Sequence, residues 1–175
     1  MLVTENLMSE HQLILKYLEL MEQTANQPDS AVLLANANHF IAFIHEFADD
    51  FHHAKEEDSL FRYLVAPDIL THCNPIPQML LEHHKARELV QSMENAIVKN
   101  DLTMLVTAMH QYASLLKEHI FKEDNILYPM AERGLSDTMK TALLTEYSNT
   151  EQRLDSATIW LRYQTLYNEL TNSLG

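Results

Sequence analysis

His52-His53-Ala54-Lys55-Glu56-Glu57-Asp58-Ser59-Leu60-Phe61 and His119-Ile120-Phe121-Lys122-Glu123-Asp124-Asn125-Ile126-Leu127-Tyr128 spell one pattern twice. Both read His-x-x-Lys-Glu-acid-x-x-Leu-aromatic, with no glycine or proline inside. That makes each a helical segment. Residues four apart on a helix share a face, so each copy points an imidazole and a carboxylate the same way.

Working outward, each copy is preceded by a Glu-His pair, Glu10-His11 and Glu82-His83. The order is His, His-x3-Glu, His, His-x3-Glu. The spacings are similar, 41 residues from His11 to His52 and 36 from His83 to His119. This is an internal repeat of two helices, and its halves can be related by a pseudo-twofold axis that brings all six side chains into one core.

Helical periodicity runs through almost the whole chain. A first helix spans about 5–26, with Leu7, Met8, Ile14, Leu15 and Leu18 on one side. Pro28-Asp29-Ser30 breaks it and starts a second over 31–65. Residues 66–77, with Pro67, Pro75 and Pro77, form the one irregular connection. A third helix covers 78–99, and Asn100-Asp101 turns into a fourth over 102–133, with Gly134 at the C′ position. Ser136 caps a last helical region reaching about Ser173, with a break near Ser148-Asn149. The expected fold is all-α: an antiparallel up-down-up-down four-helix bundle with an additional C-terminal helix. Residues 1–150 form the bundle domain, and 136–173 an extension packed on it. Trp160, Leu161, Tyr163, Leu166 and Tyr167 give that extension an apolar side, suited to packing on the bundle or to a homodimer interface.

Composition narrows the function classes. With 175 residues, 46% of them hydrophobic, the chain can bury a core. The only glycines are Gly134 and Gly175, which excludes a turn-rich β fold and glycine-rich phosphate loops. A net charge of −13 repels nucleic-acid phosphates, so no nucleic-acid partner is expected. The single cysteine, Cys73, supports neither an internal disulfide nor a cysteine zinc site. MLVTENLMSEH lacks the pattern of a signal peptide and no run is apolar enough to span a membrane, so the expected location is the cytoplasm, without membrane contact. The nine methionines read as core filler.

Histidine, with 10 residues, is the unusual component. At about 100° per residue, His52 lies in one stripe with Leu34, Ile41 and Ala48, and His53 about 100° away towards the polar side. His53-Glu57 is also an i,i+4 pair, but phase and the repeat favour His52-Glu56. Leu105, Ala108, Tyr112, Leu115 and Ile126 share the face of His119. Ile76, Met79, Val90 and Ile97 share that of His83, and Leu7, Leu15 and Leu18 that of His11. Buried imidazoles and carboxylates without partners are costly. Four histidines (His11, His52, His83, His119) and two glutamates (Glu56, Glu123) therefore read as ligands of two divalent transition ions, bridged by the glutamates. Imidazole with carboxylate suits iron, manganese or zinc rather than calcium. His45 is a candidate second-shell partner. Tyr112 lies on the site face as packing. Arg87 faces a site carboxylate or lies along the surface. His39, His53, His72, His84 and His110 read as solvated.

The ordered set Glu10-His11, His52-x3-Glu56-Glu57, Glu82-His83-His84 and His119-x3-Glu123-Asp124, closed by Phe61 and Tyr128-Pro129, resembles the hemerythrin-like, or HHE cation-binding, family over roughly residues 1–150. The resemblance implies a four-helix bundle around a non-haem di-iron centre: two iron ions with an oxo or hydroxo bridge, manganese or zinc being the other ions the donors suit. Family members bind oxygen, respond to nitric oxide or oxidative stress, or donate iron to damaged clusters. The oxygen carriers have a fifth histidine where this chain has Arg87, and an aspartate where it has Asp124. The four-His, two-Glu set is similar to that of iron-cluster repair members. The expected function is binding or sensing of O2 or NO, or handling of peroxide and iron under stress, rather than enzymatic turnover. The alternatives are a ferritin-like di-iron oxidase and a zinc-filled structural bundle. The oxidase is disfavoured because Glu-x-x-His occurs nowhere in the chain.

Overall fold

A computed structural model describes residues 2–27, 29–66, 69–70 and 73–174. Among them there are helices and turns but no strand. Pro28, Pro67 and His72, all of which carried sequence expectations, lie outside the described residues.

Helix α1 is Glu5–Ala25. Helix α2 runs without interruption over 30–64: Ser30–Phe43, a π-helical stretch Ile44–His53, a second, Glu56–Leu60, and a last turn, Phe61–Leu64. Helix α3 is Ile76–Lys99. Helix α4 covers 102–134: Leu102–Lys122, π-helical Glu123–Leu127 and Tyr128–Gly134. Helices α5, Asp137–Arg153, and α6, Ser156–Leu174, follow.

The helix starts follow from side-chain caps. Asp29 accepts from the Ala31 amide, Asp101 from the Met104 amide at 2.9 Å and Ser136 from the Met139 amide at 3.3 Å. Asn100, at φ 53, makes the left-handed turn between α3 and α4. Gly134 does not play the expected C′ role: no glycine has positive φ among the described residues, and Gly134 is still helical. Its missing side chain serves a close approach instead, since a Cβ there would lie 2.9 Å from Ile69 Cγ2 and 3.2 Å from Ile69 O. The C-terminal break also falls elsewhere than expected, at Leu154–Asp155 rather than Ser148-Asn149, with Asp155 at φ 53. The extension is therefore two helices.

Helices α1 and α3 each pack on both α2 and α4. Along each of the four, apolar side chains fall into two clusters with polar residues between them. In α1 the order is Leu7, then Glu10 and His11, then Leu13 to Ala25. In α2 it runs from Leu33 to Phe51, then His52 to Glu56, then Leu60 to Leu64. In α3 Ile76 and Met79 precede Glu82 and His83, and Ala86 to Ala96 follow. In α4 the first cluster takes Leu105 to Ile120 and the second Leu127 to Ala131, around His119 and Glu123. Helix α5 adds Leu143 and Tyr147 to one cluster, and α6 adds Ile159, Tyr163 and Leu170 to the other. No helix of the described residues is long and apolar enough to cross a membrane.

The π-helical turns change the phase of everything after them. The Phe61 amide donates to Glu56 O and the Tyr128 amide to Glu123 O, each five residues back. A wider turn advances each residue by less than the α-helical angle. Ile126, expected on the site face, is therefore 47% exposed, while Leu127 and Tyr128 are buried. Met8, expected beside Leu7, is also exposed.

Candidate metal centre

The polar layer brings His11, His52, Glu56, His83, His119 and Glu123 together, every one of them buried. Their donor atoms form two pairs of imidazoles. His11 Nε2 lies 3.0 Å from His52 Nε2, and His83 Nε2 lies 3.0 Å from His119 Nε2. Two carboxylates tie the pairs together. Glu56 Oε2 is 3.6 Å from His52 Nε2 and 3.5 Å from His83 Nε2. Glu123 Oε2 is 3.3 Å from His11 Nε2 and 3.2 Å from His119 Nε2. Each glutamate thus faces both pairs.

A ring of carboxylates stands behind the histidines. The Nδ1 atoms of His11, His52, His83 and His119 lie 2.7, 2.8, 2.7 and 2.9 Å from Asp124, Glu10, Glu57 and Glu82 respectively. A carboxylate at Nδ1 holds the proton there, which leaves Nε2 with its lone pair aimed inward. Cations anchor three of these carboxylates. Lys55 bonds Glu10, Lys122 bonds Glu82, and Arg87 donates to Glu57 at 2.8 Å and also to Asp49. This role accounts for the lysine that recurs in both copies of the sequence pattern.

Inward lone pairs on four imidazoles and two carboxylates need cations between them. Glu56 Oε2 and both oxygens of Glu123 are buried without a hydrogen-bond partner among the described residues. Two neighbouring ligands about 2.1 Å from one octahedral ion lie about 3.0 Å apart, against about 3.4 Å for a tetrahedral ion. The imidazole pairs lie 3.0 Å apart and the imidazole–carboxylate pairs 3.2–3.6 Å, so the separations are of the size that ligands of a shared ion show in either geometry. The clusters are thus able to hold metal, and His11, His52, Glu56 and Glu123 have donor atoms within 4.8 Å of one another.

Without a metal, protons must play this part. Burial pushes the His11 imidazole down, but its bond to Asp124 and the negative charge of the nearby Glu123 and Glu56 prevail and raise it to about 9. His119, opposed by burial in the same way, is raised to about 10 by Glu123 and Glu82. Burial and the charge of Glu123 push Glu56 well up. Burial also works against the charged form of Glu123, yet His119 and His11 hold it well below the usual range.

The remaining sequence candidates separate. Asp124 is behind His11. Arg87 is paired with carboxylates behind the site, Glu57 and Asp49, rather than lying free on the surface. Tyr112 is buried in the core, with its hydroxyl unpartnered among the described residues. His45 is no second-shell group: it is exposed and bonds Glu94 at 2.9 Å. His39 and His84 are exposed as expected, and His110 is half-buried. His53 corrects the expectation of a solvated side chain. It is 3% exposed, stacks on His83 at 3.8 Å between ring centroids, and has Nδ1 3.1 Å from Asp49. The phase assumed at 53 was that of an α-helix, whereas Ile44–His53 is π-helical.

Sequence reasoning also passed over Tyr128. Its hydroxyl donates to Glu56 Oε1 at 2.7 Å, and its ring stacks on His11. The signal was the aromatic residue that ends both copies of the repeat. The carboxylates Glu10 and Glu82 were visible as the residues before His11 and His83, without a role.

The model of the hemerythrin HHE cation binding domain matches residues 2–131. Comparison with curated proteins and with solved structures returned no match.

Proposed function

This chain belongs to the hemerythrin HHE cation-binding domain family, and from that premise we propose that it is a di-iron protein that binds or senses a small molecule, O2, NO or peroxide, in the cytoplasm. His11 and His52 would hold one ion and His83 and His119 the other, with Glu56 and Glu123 available to both. The observation that carries this reading is the position of the two glutamates, each with one oxygen 3.2–3.6 Å from an imidazole of both pairs. A redox-capable ion held there would supply the binding of a diatomic molecule. The chain's own residues set the donors, keep the imidazole tautomers and exclude bulk water.

The alternation of the two apolar clusters supports an up-down-up-down bundle. The polar layer is entered from one cluster in α1 and α3 and from the other in α2 and α4. The ligand set, four histidines and two glutamates, is of the cluster-repair kind.

Elemental analysis and an absorption spectrum of freshly purified protein test the reading. About two iron ions per chain, and a new absorption band when the reduced protein meets O2 or NO, are expected. Stoichiometric zinc, or no metal after expression in iron-replete medium, would overturn it.

A further inference from the structure

The donor-bearing and charged residues of the two copies of the repeat match in kind around the centre, with one exception that carries a nitrogen donor. His52 corresponds to His119, Lys55 to Lys122, Glu56 to Glu123 and Glu57 to Asp124. His53 corresponds to Ile120. A fifth imidazole is therefore buried on one side of the layer only.

On its Nδ1 side it is held as the other four are. Its Nδ1 faces a carboxylate, Asp49, and Arg87 anchors that carboxylate through two nitrogens, Nε at 2.9 Å and Nη2 at 2.6 Å. Its ring lies nearly parallel to His83, 19° between planes. A donor nitrogen of His53 falls within 4.8 Å of donor atoms of Glu56, His83 and His119, all four residues being buried. A hydrocarbon at this position would fill the same space, as Ile120 does on the other side.

We propose that His53 is a third imidazole donor to the ion held by His83 and His119, so that the two ions are inequivalent: three imidazoles serve one and two serve the other. The inference rests on the metal-pair reading above. It adds a ligand from α2 and predicts that the two sites fill in order, the three-imidazole site first.

Titration of metal-free full-length protein with Co(II), followed by visible absorption and calorimetry, tests it. Failure of the wild type to bind metal would remove the underlying reading. Given two bound ions, the wild type shows two steps of different affinity. His53→Phe keeps a ring to stack on His83 and removes the nitrogens. It weakens the first step about 10–100-fold and alters the spectrum of that step, leaving the second step near its wild-type value. His53→Ala does the same, and free imidazole restores it, because the space vacated adjoins a cavity of about 40 Å³ lined by Asp49, His53, Arg87 and Tyr112. Wild-type titration and spectra for His53→Phe would overturn the proposal. So would weakening confined to His53→Ala, which would make His53 a packing residue.

Discussion

The half of the centre built by His11 and His52 and the half built by His83 and His119 grow from nearly the same sequence and end differently furnished. Their shared parts, Nδ1 on a carboxylate and Nε2 facing a partner imidazole, superimpose in chemistry. Apart from His53, their differences lie one layer out. The first half has Tyr128 stacked on His11, while the second has Phe61 stacked on His83 at 6.0 Å. The first half has Lys55, fully buried between Glu10 and Glu151; the second has Lys122, 32% exposed. Burial raises Glu10 to about 7 in spite of Lys55. Burial opposes charge on Glu82 as well, yet His119, Lys122 and Gln78 hold it down at about 2. A duplicated pattern thus sets where the donors stand, and the residues around it decide how each half handles charge.

The comparison breaks most completely at the two shared glutamates. Glu123→Ala or Glu56→Ala is expected to lower affinity for both ions at least about 100-fold, because neither half keeps its oxygen. His11→Ala or His52→Ala removes the ion of its own half first, and His83→Ala or His119→Ala the other. Elemental analysis after gel filtration reads the difference. One firmly held ion in Glu123→Ala would show that each glutamate serves one half alone.

The two lysines sharpen the contrast. Lys55→Met leaves Glu10 buried without its cation and is expected to cost about 3–5 kcal/mol. Lys122→Met should cost about 1 kcal/mol, because Lys122 is itself partly exposed and Gln78 and His119 still bond Glu82. Urea unfolding of both variants gives the comparison, and equal losses would mean that the burial of Lys55 has no energetic consequence.

Much of this was legible in the chain itself. The repeat names His52, Glu56, His119 and Glu123 directly, and the Glu-His pairs name His11 and His83, because all six donors recur at fixed spacing on helix faces that are otherwise apolar. Helix limits near 99, 102 and 137 follow from Asn100, Asp101 and Ser136. What stayed hidden depends on turns that are not α-helical. His53 and Ile126 were given faces at an α-helical advance and Tyr128 was given none, and all three lie in or just after a π-helical stretch. Nothing in the local composition announces such a turn. The carboxylates behind the histidines were hidden for another reason. Glu10 bonds His52, and Glu82 bonds His119, across to a different helix, and sequence order shows no such pairing.

Metal binding separates the two charge states of the layer. At a free metal concentration about 100-fold above Kd, one ion adds about 2.7 kcal/mol, which raises Tm by about 5–10 °C in a chain of this size. The pH dependence then differs between the two forms, falling without metal and levelled by metal. In the metal-free protein His11 and His119 titrate near 9 and 10, above their unfolded value of 6.5. Their stabilisation is full below pH 6.5 and is lost as pH rises through 9–10. Metal must displace those same protons, so its affinity increases over that interval. Thermal melts of both forms from pH 6.5 to 10 should diverge with rising pH. Parallel curves would show that His11 and His119 carry no extra protons when metal-free.

The smallest effect concerns the hydroxyls that face the layer. Tyr128→Phe makes the first half resemble the second, where Phe61 stands. It removes the 2.7 Å bond to Glu56 Oε1 and leaves that oxygen buried without a donor. The expected cost is about 1–2 kcal/mol, with both ions retained. Tyr147 is the control, a buried tyrosine of the same cluster whose hydroxyl has no partner among the described residues. Tyr147→Phe deletes an unpaired polar atom and should be neutral or stabilising. The two substitutions remove the same oxygen atom from similar depth, so opposite signs isolate the hydrogen bond to Glu56 from the loss of a buried hydroxyl as such. Equal destabilisation by both would mean that tyrosine at 128 serves packing, and that the halves differ there in sequence without differing in energy.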